Sequence, residues 1–436
     1  MTRPPPAKTG RKEYTAVERI NRAQRRRSSR EETRRPEWAT IEEYARAKIQ
    51  DWMQDLLEEE ITELLGRHKS ERRAAVDGGE GYRNGYGKSR RLSMMAGTIT
   101  VRRPRVRNLE QRFESRILPL FLRRTEQVGE LLPKLYLHGL AQGDFELALR
   151  GLLGDGAPLS GSSIERLRAK WQIDFQQWKS QRLDELEVVY AWADGLYVKA
   201  GLEDTKAALL VIVGALKDGR KVVLAVESGQ RESKESWARV LRDLRDRGLR
   251  PWKVTVADGH LGIWSALRDV DLGEEEQRCW NHKLTNVIDR LPKKEWPEAR
   301  ERLRKIPYAE SREECERLRD QFVARYRKAY PKAVETMCRD WERMVTFYGF
   351  PKDHWRHLRT TNPVESPFSA VRLRTDAARR YKKVANAEAL IWKILMIAEK
   401  KFRRLNSPEL LEAVHRGQRF EDGIAVEQQS RKRRAA

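Results

Sequence analysis

Only three cysteines, Cys279, Cys315 and Cys338, occur in 436 residues, too few to staple a chain of this length, which points to reduced thiols in a cytosolic compartment. No apolar run approaches the length that crosses a bilayer, and the first residues lack the apolar centre of a secretory leader. Apolar residues are modest overall, at 39% against 35% charged, so a real core is expected beneath solvated helices and tails. Acid falls well short of base: the formal net charge is +24, carried largely by arginine. Guanidinium groups grip phosphate oxygens two at a time, so the expected partner is a polyanion, nucleic acid ahead of an acidic membrane surface. The length exceeds one ordinary core and implies two or three domains.

Residues 1–36, with Pro4-Pro5-Pro6 and Arg25-Arg26-Arg27, read as a basic disordered tail able to touch phosphate without folding. Residues 37–110 read as a helix followed by a basic hairpin. Thr40 and Glu43 have capping-box spacing, and Ile49, Trp52, Met53, Leu56, Leu57, Ile61, Leu64 and Leu65 recur with helical period before Gly66. Asn84-Gly85 is a turn signal and 98–101 a strand. Arg83, Arg103 and Arg105 in this ribbon suit phosphate contact, although a solvated ribbon has the same composition. Residues 111–182 read as short helices ending in a helix-turn-helix-like stretch. Its Ile164, Leu167 and Trp171 would face inward, leaving Arg166, Arg168 and Lys170 for DNA.

From residue 183 the pattern becomes α/β. Strands are expected at 188–193, 207–216, 221–226 and 252–257, with Lys217-Asp218-Gly219-Arg220 reversing the second into the third. Trp237, Val240, Leu241 and Leu244 share a helix face before Gly248, and the fourth strand ends on Asp258-Gly259-His260. Residues 183–290 thus form the first part of a catalytic domain, 291–350 an α-helical insertion, 351–406 the final part, and 407–436 a C-terminal tail ending in Arg431-Lys432-Arg433-Arg434. In the final part Asn362 can cap, Pro363 can take the first helical position, and Glu365 falls in the opening turn of a helix continuing past Val371 and Leu373. A last helix is expected at 387–405.

Three strands with a tight reversal, a helix, a fourth strand and a later acid-bearing helix follow the element order of a ribonuclease-H-like sheet. The fold class expected is therefore α/β, a ribonuclease-H-like catalytic domain with an α-helical insertion, preceded by a mostly helical N-terminal DNA-binding region. In that order the first and fourth strands are neighbours, which would bring Asp194 beside Asp258, with Glu365 approaching from its helix. Converging carboxylates repel unless cations relieve them, and two Mg²⁺ ions about 3.5–4 Å apart can drive in-line displacement at phosphorus. Taken singly, each acid also fits a turn or a helix cap.

Asp194-Gly195-Leu196-Tyr197-Val198-Lys199, Ala257-Asp258-Gly259-His260-Leu261-Gly262, Cys279-Trp280-Asn281-His282 and Thr360-Thr361-Asn362-Pro363-Val364-Glu365-Ser366, followed by Arg372 and Arg374, resemble the Mutator-type transposases of bacterial insertion sequences. Gly81-Tyr82-Arg83-Asn84-Gly85-Tyr86 and Pro104-Arg105 are similar to that family's N-terminal half, and the likeness runs from about residue 40 to 406. The resemblance implies a DDE triad of Asp194, Asp258 and Glu365 holding two Mg²⁺ ions, with Mn²⁺ as a substitute. It further implies that Lys199, Arg372 and Arg374 hold phosphates, with Tyr197, His260 and Asn362 in support. Cys279 and His282 have metal-ligand spacing, but two ligands do not complete a zinc site, and they are assigned to strand-end packing or DNA positioning. The implied activity is cleavage at the terminal inverted repeats of an element and joining of 3′-hydroxyls to target DNA, by at least a dimer on paired double-stranded ends in the bacterial cytoplasm, associated with the nucleoid. Two alternatives are a structure-selective nuclease without strand transfer and a DNA-binding regulator without catalysis.

Overall fold

The computed structural model of the chain describes residues 38–71, 81–119, 122–140, 144–153, 161–200, 206–229, 231–259, 261–378 and 381–426. The basic stretches at 1–36 and 431–434 and the motif residue His260 lie outside the described residues. Two compact units are present, one within residues 1–130 and 146–159, the other within 131–145 and 160–436. Among the described residues no helix is long and apolar enough to cross a membrane.

In the first unit a 28-residue helix, α1 (Trp38–Leu65), lays Met53, Leu57 and Ile61 along one side at four-residue spacing. Leu57 is buried with Leu92, Ile99, Val101 and Leu118. Thr40 lies inside this helix rather than capping it, and Trp52 and Leu64 are exposed off the buried stripe. Four short strands follow: β1 (Tyr82–Tyr86), β2 (Arg90–Met94), β3 (Gly97–Val101) and β4 (Pro104–Arg107). The hairpin reverses at Met95-Ala96, joining β2 to β3, while β1 pairs with β4. Asn84-Gly85 is therefore not the turn. Gly85, at φ 62°, lies where the register of β1 against β4 shifts, so its left-handed backbone serves a bulge instead. α2 (Glu126–Leu137) and α3 (Phe145–Leu153) complete the helical elements before the second unit's own first long helix.

That helix, α4 (Gly161–Lys179), is a single uninterrupted element. The second unit is built on a five-stranded mixed sheet of order β7-β6-β5-β8-β9. β5 (Val188–Lys199), β6 (Lys206–Leu216) and β7 (Lys221–Gly229) form an antiparallel meander, and β5 runs parallel to β8 (Trp252–Ala257). The expected reversal is present, with Gly219 at φ 83° and Asp218 Oδ1 accepting from the amide of Arg220 at 2.9 Å. β9 (Gly273–Arg278), parallel to β8 at the edge, was not foreseen. Its Gly-Glu-Glu-Glu-Gln-Arg sequence lacks apolar alternation because only one neighbour and a charged rim are needed there.

The central strands are apolar on both sides because both faces are covered. Ala191 and Ala193 face α5 (Lys234–Asp246) and α6 (Leu261–Val270), packing with Trp237, Leu241, Trp264 and Leu267. Tyr190 and Trp192 point the other way: the Tyr190 ring meets Phe350 and His354 edge-on, and Trp192 Nε1 donates to the His357 carbonyl at 2.8 Å. Between β9 and the Glu365 segment the chain is helical throughout its longer elements: α7 (Trp280–Ile288), α8 (Trp296–Lys305), α9 (Arg312–Tyr326), α10 (Pro331–Cys338), α11 (Trp341–Val345) and α12 (Trp355–Leu358). α13 (Asn362–Glu365) is one turn, and α14 (Phe368–Ala378) starts anew after Pro367, so the single long helix expected here is broken where proline withdraws an amide. α15 (Val384–Glu399) packs against α4, with Phe175 and Trp392 rings 5.6 Å apart. Residues 407–426 are not an unstructured tail: α16 (Glu409–His415) buries Leu411 and Val414.

Candidate active site

Ala193 of β5 lies opposite Ala257 of β8 in parallel register. Asp194 and Asp258 come next along each chain, on neighbours about 4.8 Å apart; β5 runs on against β6 to Lys199, whereas β8 has ended at Ala257. Asp194 follows a fully buried run and is itself only half-buried, with Oδ1 accepting from the Gly195 amide at 2.8 Å. Asp258 lines a cavity of about 620 Å³, and Arg278 Nε donates to its carbonyl at 3.0 Å.

Glu365 is brought to the same place by Thr361. Thr361 occupies the cap position of α13, but its hydroxyl bonds the Glu365 carboxylate and, at 3.2 Å, the Cys279 sulfur instead of capping amides. Asn362, expected as the cap, is the first helical residue, and its Oδ1 accepts from Asn281 Nδ2 at 3.3 Å. His282, on the first turn of α7, faces the acids: Nδ1 is 3.5 Å from Asp258 Oδ1 and 3.9 Å from Glu365 Oε1.

The electrostatics follow from crowding. Burial, then repulsion from Glu365 and Glu232, pushes the Asp194 carboxyl up to about 7, against the pull of the Gly195 amide and His282. A hydrogen bond with Cys279, aided by Asp258 and Glu365, raises the His282 imidazole to about 9 despite burial. Without a cation, the imidazolium is therefore the counter-charge of this centre. Asp258 Oδ1 is enclosed and accepts no hydrogen bond among the described residues. The ligand atoms of Cys279, His282 and Glu365 lie within 4.8 Å of one another, so the structure adds a third donor to the pair seen in sequence. The Cys279 sulfur is already engaged by the Thr361 amide and hydroxyl, which fits packing at a strand end.

Glu232 was missed. It stands just ahead of Ser233, the cap of α5, and its carboxylate occupies the space a side chain on Gly195 would need. It lines the same cavity as Asp258 and hydrogen-bonds Tyr197. The signal was available, an acid between an apolar strand and a serine-capped helix, but the surrounding Arg231-Glu232-Ser233-Lys234-Glu235 hides it among ordinary surface charge.

The basic residues are dispersed. Lys199 and Tyr197 are exposed on β5, and Arg372 is exposed on α14. Arg374, two positions on, is turned to the opposite side: it is 3% exposed, with its guanidinium 3.9 Å from the centre of the Tyr136 ring. Arg83 is not free for phosphate, because Nη1 pairs with Glu58 at 2.7 Å and Nη2 donates to Thr62 at 2.7 Å. Arg103 and Arg105 line a cavity of about 590 Å³ in the first unit, together with Lys88, Arg90, Arg107 and Arg123 and with no carboxylate among its lining residues. On α4, Ile164 and Trp171 are buried, Leu167 is half-buried, and Arg166 and Lys170 are exposed.

A family profile described as "Transposase, Mutator family" matches residues 20–404. The chain is 41% identical over 300 residues to the transposase for insertion sequence element IS6120 of Mycolicibacterium smegmatis, covering 69% of this chain and 93% of that protein. It is 37% identical over 279 residues to the transposase for insertion sequence element IST2 of Acidithiobacillus ferrooxidans, covering 64% and 94%. A more distant relative, the transposase for insertion sequence element IS256 in transposon Tn4001 of Staphylococcus aureus, is 25% identical over 347 residues, covering 78% and 86%. An acidic centre assembled from the very motifs that suggested the family, in a chain matched by the family profile over most of its length, leaves one assignment: this protein belongs to the Mutator family of transposases.

Proposed function

We propose that the chain binds the terminal inverted repeats of its own insertion sequence, cleaves DNA there and joins the 3′-hydroxyls to target DNA, using a ribonuclease-H-like domain. The sheet order, with three antiparallel strands continued on the β5 side by two parallel ones, supports that fold. The observation that carries the reading is the meeting of Asp194, Asp258 and Glu365, from three distant segments, around one imidazole.

The donor set fits divalent magnesium: carboxylate oxygens, one of them enclosed without a hydrogen-bond partner. Asp194 and Asp258 would hold the ions, Glu365 would complete their shell, and Glu232 is placed to join Asp194. Two bound Mg²⁺ ions, or Mn²⁺ in their place, supply activation of the attacking oxygen and relief of charge on the leaving one. The protein's own residues do the positioning: Thr361 orients the Glu365 carboxylate, Arg278 fixes the backbone at Asp258, and His282 balances charge from the Cys279 side. No covalent protein nucleophile is required. The acid-free basic cavity around Arg103 and Arg105 favours a duplex backbone as partner of the first unit. Two element ends must react together, so at least a dimer is expected, acting at the bacterial nucleoid.

Asp258→Asn keeps the shape of the side chain and removes its charge. Strand cleavage and joining of element-end DNA to a target plasmid should fall by at least two orders of magnitude, while DNA binding in a gel-shift assay persists. Equal cleavage by variant and parent would sink the catalytic assignment. Cleavage by the parent without any joined product would favour a nuclease.

A further inference from the structure

Arg374 and Tyr381 are both nearly sealed, at 3% and 5% exposure, yet neither is satisfied. Arg374 Nε and the Tyr381 hydroxyl are enclosed without a hydrogen-bond partner among the described residues. The guanidinium carbon lies over the Tyr136 ring, 3.9 Å from its centre, and Nη1 reaches the Leu140 carbonyl at 3.5 Å. No carboxylate of the described residues lies within ion-pair distance of it. A buried charge without a counter-charge is strongly unfavourable, and a fold retains one where a ligand of opposite sign completes it.

Both groups line one cavity of about 680 Å³ in the second unit, with residues of α4 on one side and Ala377, Ala378 and Lys382 on the other. Arg168 and Lys382 add positive charge to its wall, and Glu165, exposed on α4, is the one carboxylate among the lining residues. Gln172 closes the far side through a hydrogen bond to Asn386. Guanidinium, ammonium and phenol groups belonging to the lining residues can all donate, and a phosphate, with several acceptor oxygens and fixed negative charge, is the complementary ligand.

The place of this cavity favours a phosphate that belongs to a strand. The Tyr381 amide donates to the Lys199 carbonyl at 3.0 Å, which ties the cavity wall to the end of β5, the strand that carries Asp194. Five residues along a strand span roughly 17 Å, about five steps of axial rise on a duplex. We infer that the Arg374–Tyr381 cavity is a backbone-phosphate pocket that takes a DNA phosphodiester while another segment of the same DNA lies at the acidic centre. This deepens the transposase reading and rests on it for the choice of DNA as the source of the phosphate.

The test uses the full chain with Asp258→Asn and EDTA present, so that no DNA is cut, and a fluorescein-labelled element-end duplex followed by anisotropy. Tyr381→Phe removes one unsatisfied hydroxyl from a snug site, so the melting temperature without DNA should stay level or rise. Duplex affinity should fall about tenfold, the size expected for a hydrogen bond to a charged group. Arg168→Gln should lower the slope of log affinity against log salt by about one. Parent-like duplex affinity in Tyr381→Phe would overturn the pocket. So would inorganic phosphate raising the melting temperature of the parent background but not of Tyr381→Phe while duplex affinity is equal, which would mark a free-anion site. Cleavage assays on the chain with Asp258 intact separate the two claims. Active strand transfer by the parent with parent-like duplex binding by Tyr381→Phe removes the pocket alone, whereas no cleavage or joining by the parent with weakened binding by Tyr381→Phe removes the strand-transfer reading alone.

Discussion

Glu232 reaches Asp194 because Gly195 has no side chain to keep it away. Its charge helps to raise the Asp194 carboxyl, after burial and Glu365, which marks it as part of the same cluster. If it shares a cation with Asp194, Glu232→Gln should weaken Mn²⁺ binding about three- to tenfold, the scale of losing one supporting group at a metal. Titration calorimetry with Mn²⁺ on the uncomplexed protein reads this directly, and unchanged affinity would return Glu232 to the role of a partner for Tyr197. The three acids foreseen from sequence were legible because each follows an apolar run or opens a short helix beside Asn and Pro. Glu232 lacked such contrast with its neighbours. The settings of Arg83 and Arg374 were hidden for a different reason: as arginines they looked exposed, and only their neighbours Glu58, Thr62 and Tyr136, from distant parts of the chain, decide where they point.

Among elements, α12 and the turn before it tie the sheet to the C-terminal segment through two histidines. His354 joins the Tyr190 hydroxyl at 2.8 Å to the Ser407 carbonyl at 3.1 Å, and His357 Nε2 accepts from the Asn406 amide at 3.4 Å. Burial, reinforced by Lys221 and Arg356, lowers the His357 imidazole to about 4, so the folded protein keeps it neutral where an unfolded chain, at about 6.5, would already take a proton. Stability from this group is therefore present above about 6.5 and is lost as pH falls from there towards 4. His357→Gln should flatten that part of the acid limb in melting temperature against pH, and an unaltered limb would place the acid sensitivity elsewhere. The apolar strands, the reversal at Gly219 and the helix of Trp237 could be read in advance because burial on two faces imposes long hydrophobic runs. β9 could not. Its one deeply buried side chain, Gln277, is satisfied by the Met344 carbonyl and the Phe347 amide, partners supplied by the helical passage that follows it.

For the whole molecule the excess of positive charge, +24, predicts a DNA affinity that falls steeply with salt. The first unit offers a local test, since Arg103 and Arg105 share a cavity without acids. Replacing each by Gln should reduce the salt slope of duplex binding by about one per residue and weaken all sequences alike. A slope equal to that of the parent would mean that these arginines do not neutralise phosphates. The architecture also orders events in time. Every strand of the five-stranded sheet, and with it Asp194 and Asp258, precedes Cys279, whereas Glu365 follows only after the long helical passage. At ordinary rates of protein synthesis the third acid emerges on the order of ten seconds after the sheet is complete. If the three acids are the cutting centre proposed above, a nascent or prematurely terminated chain that stops short of Thr361 carries two of them without the third and is expected to leave a chromosome intact.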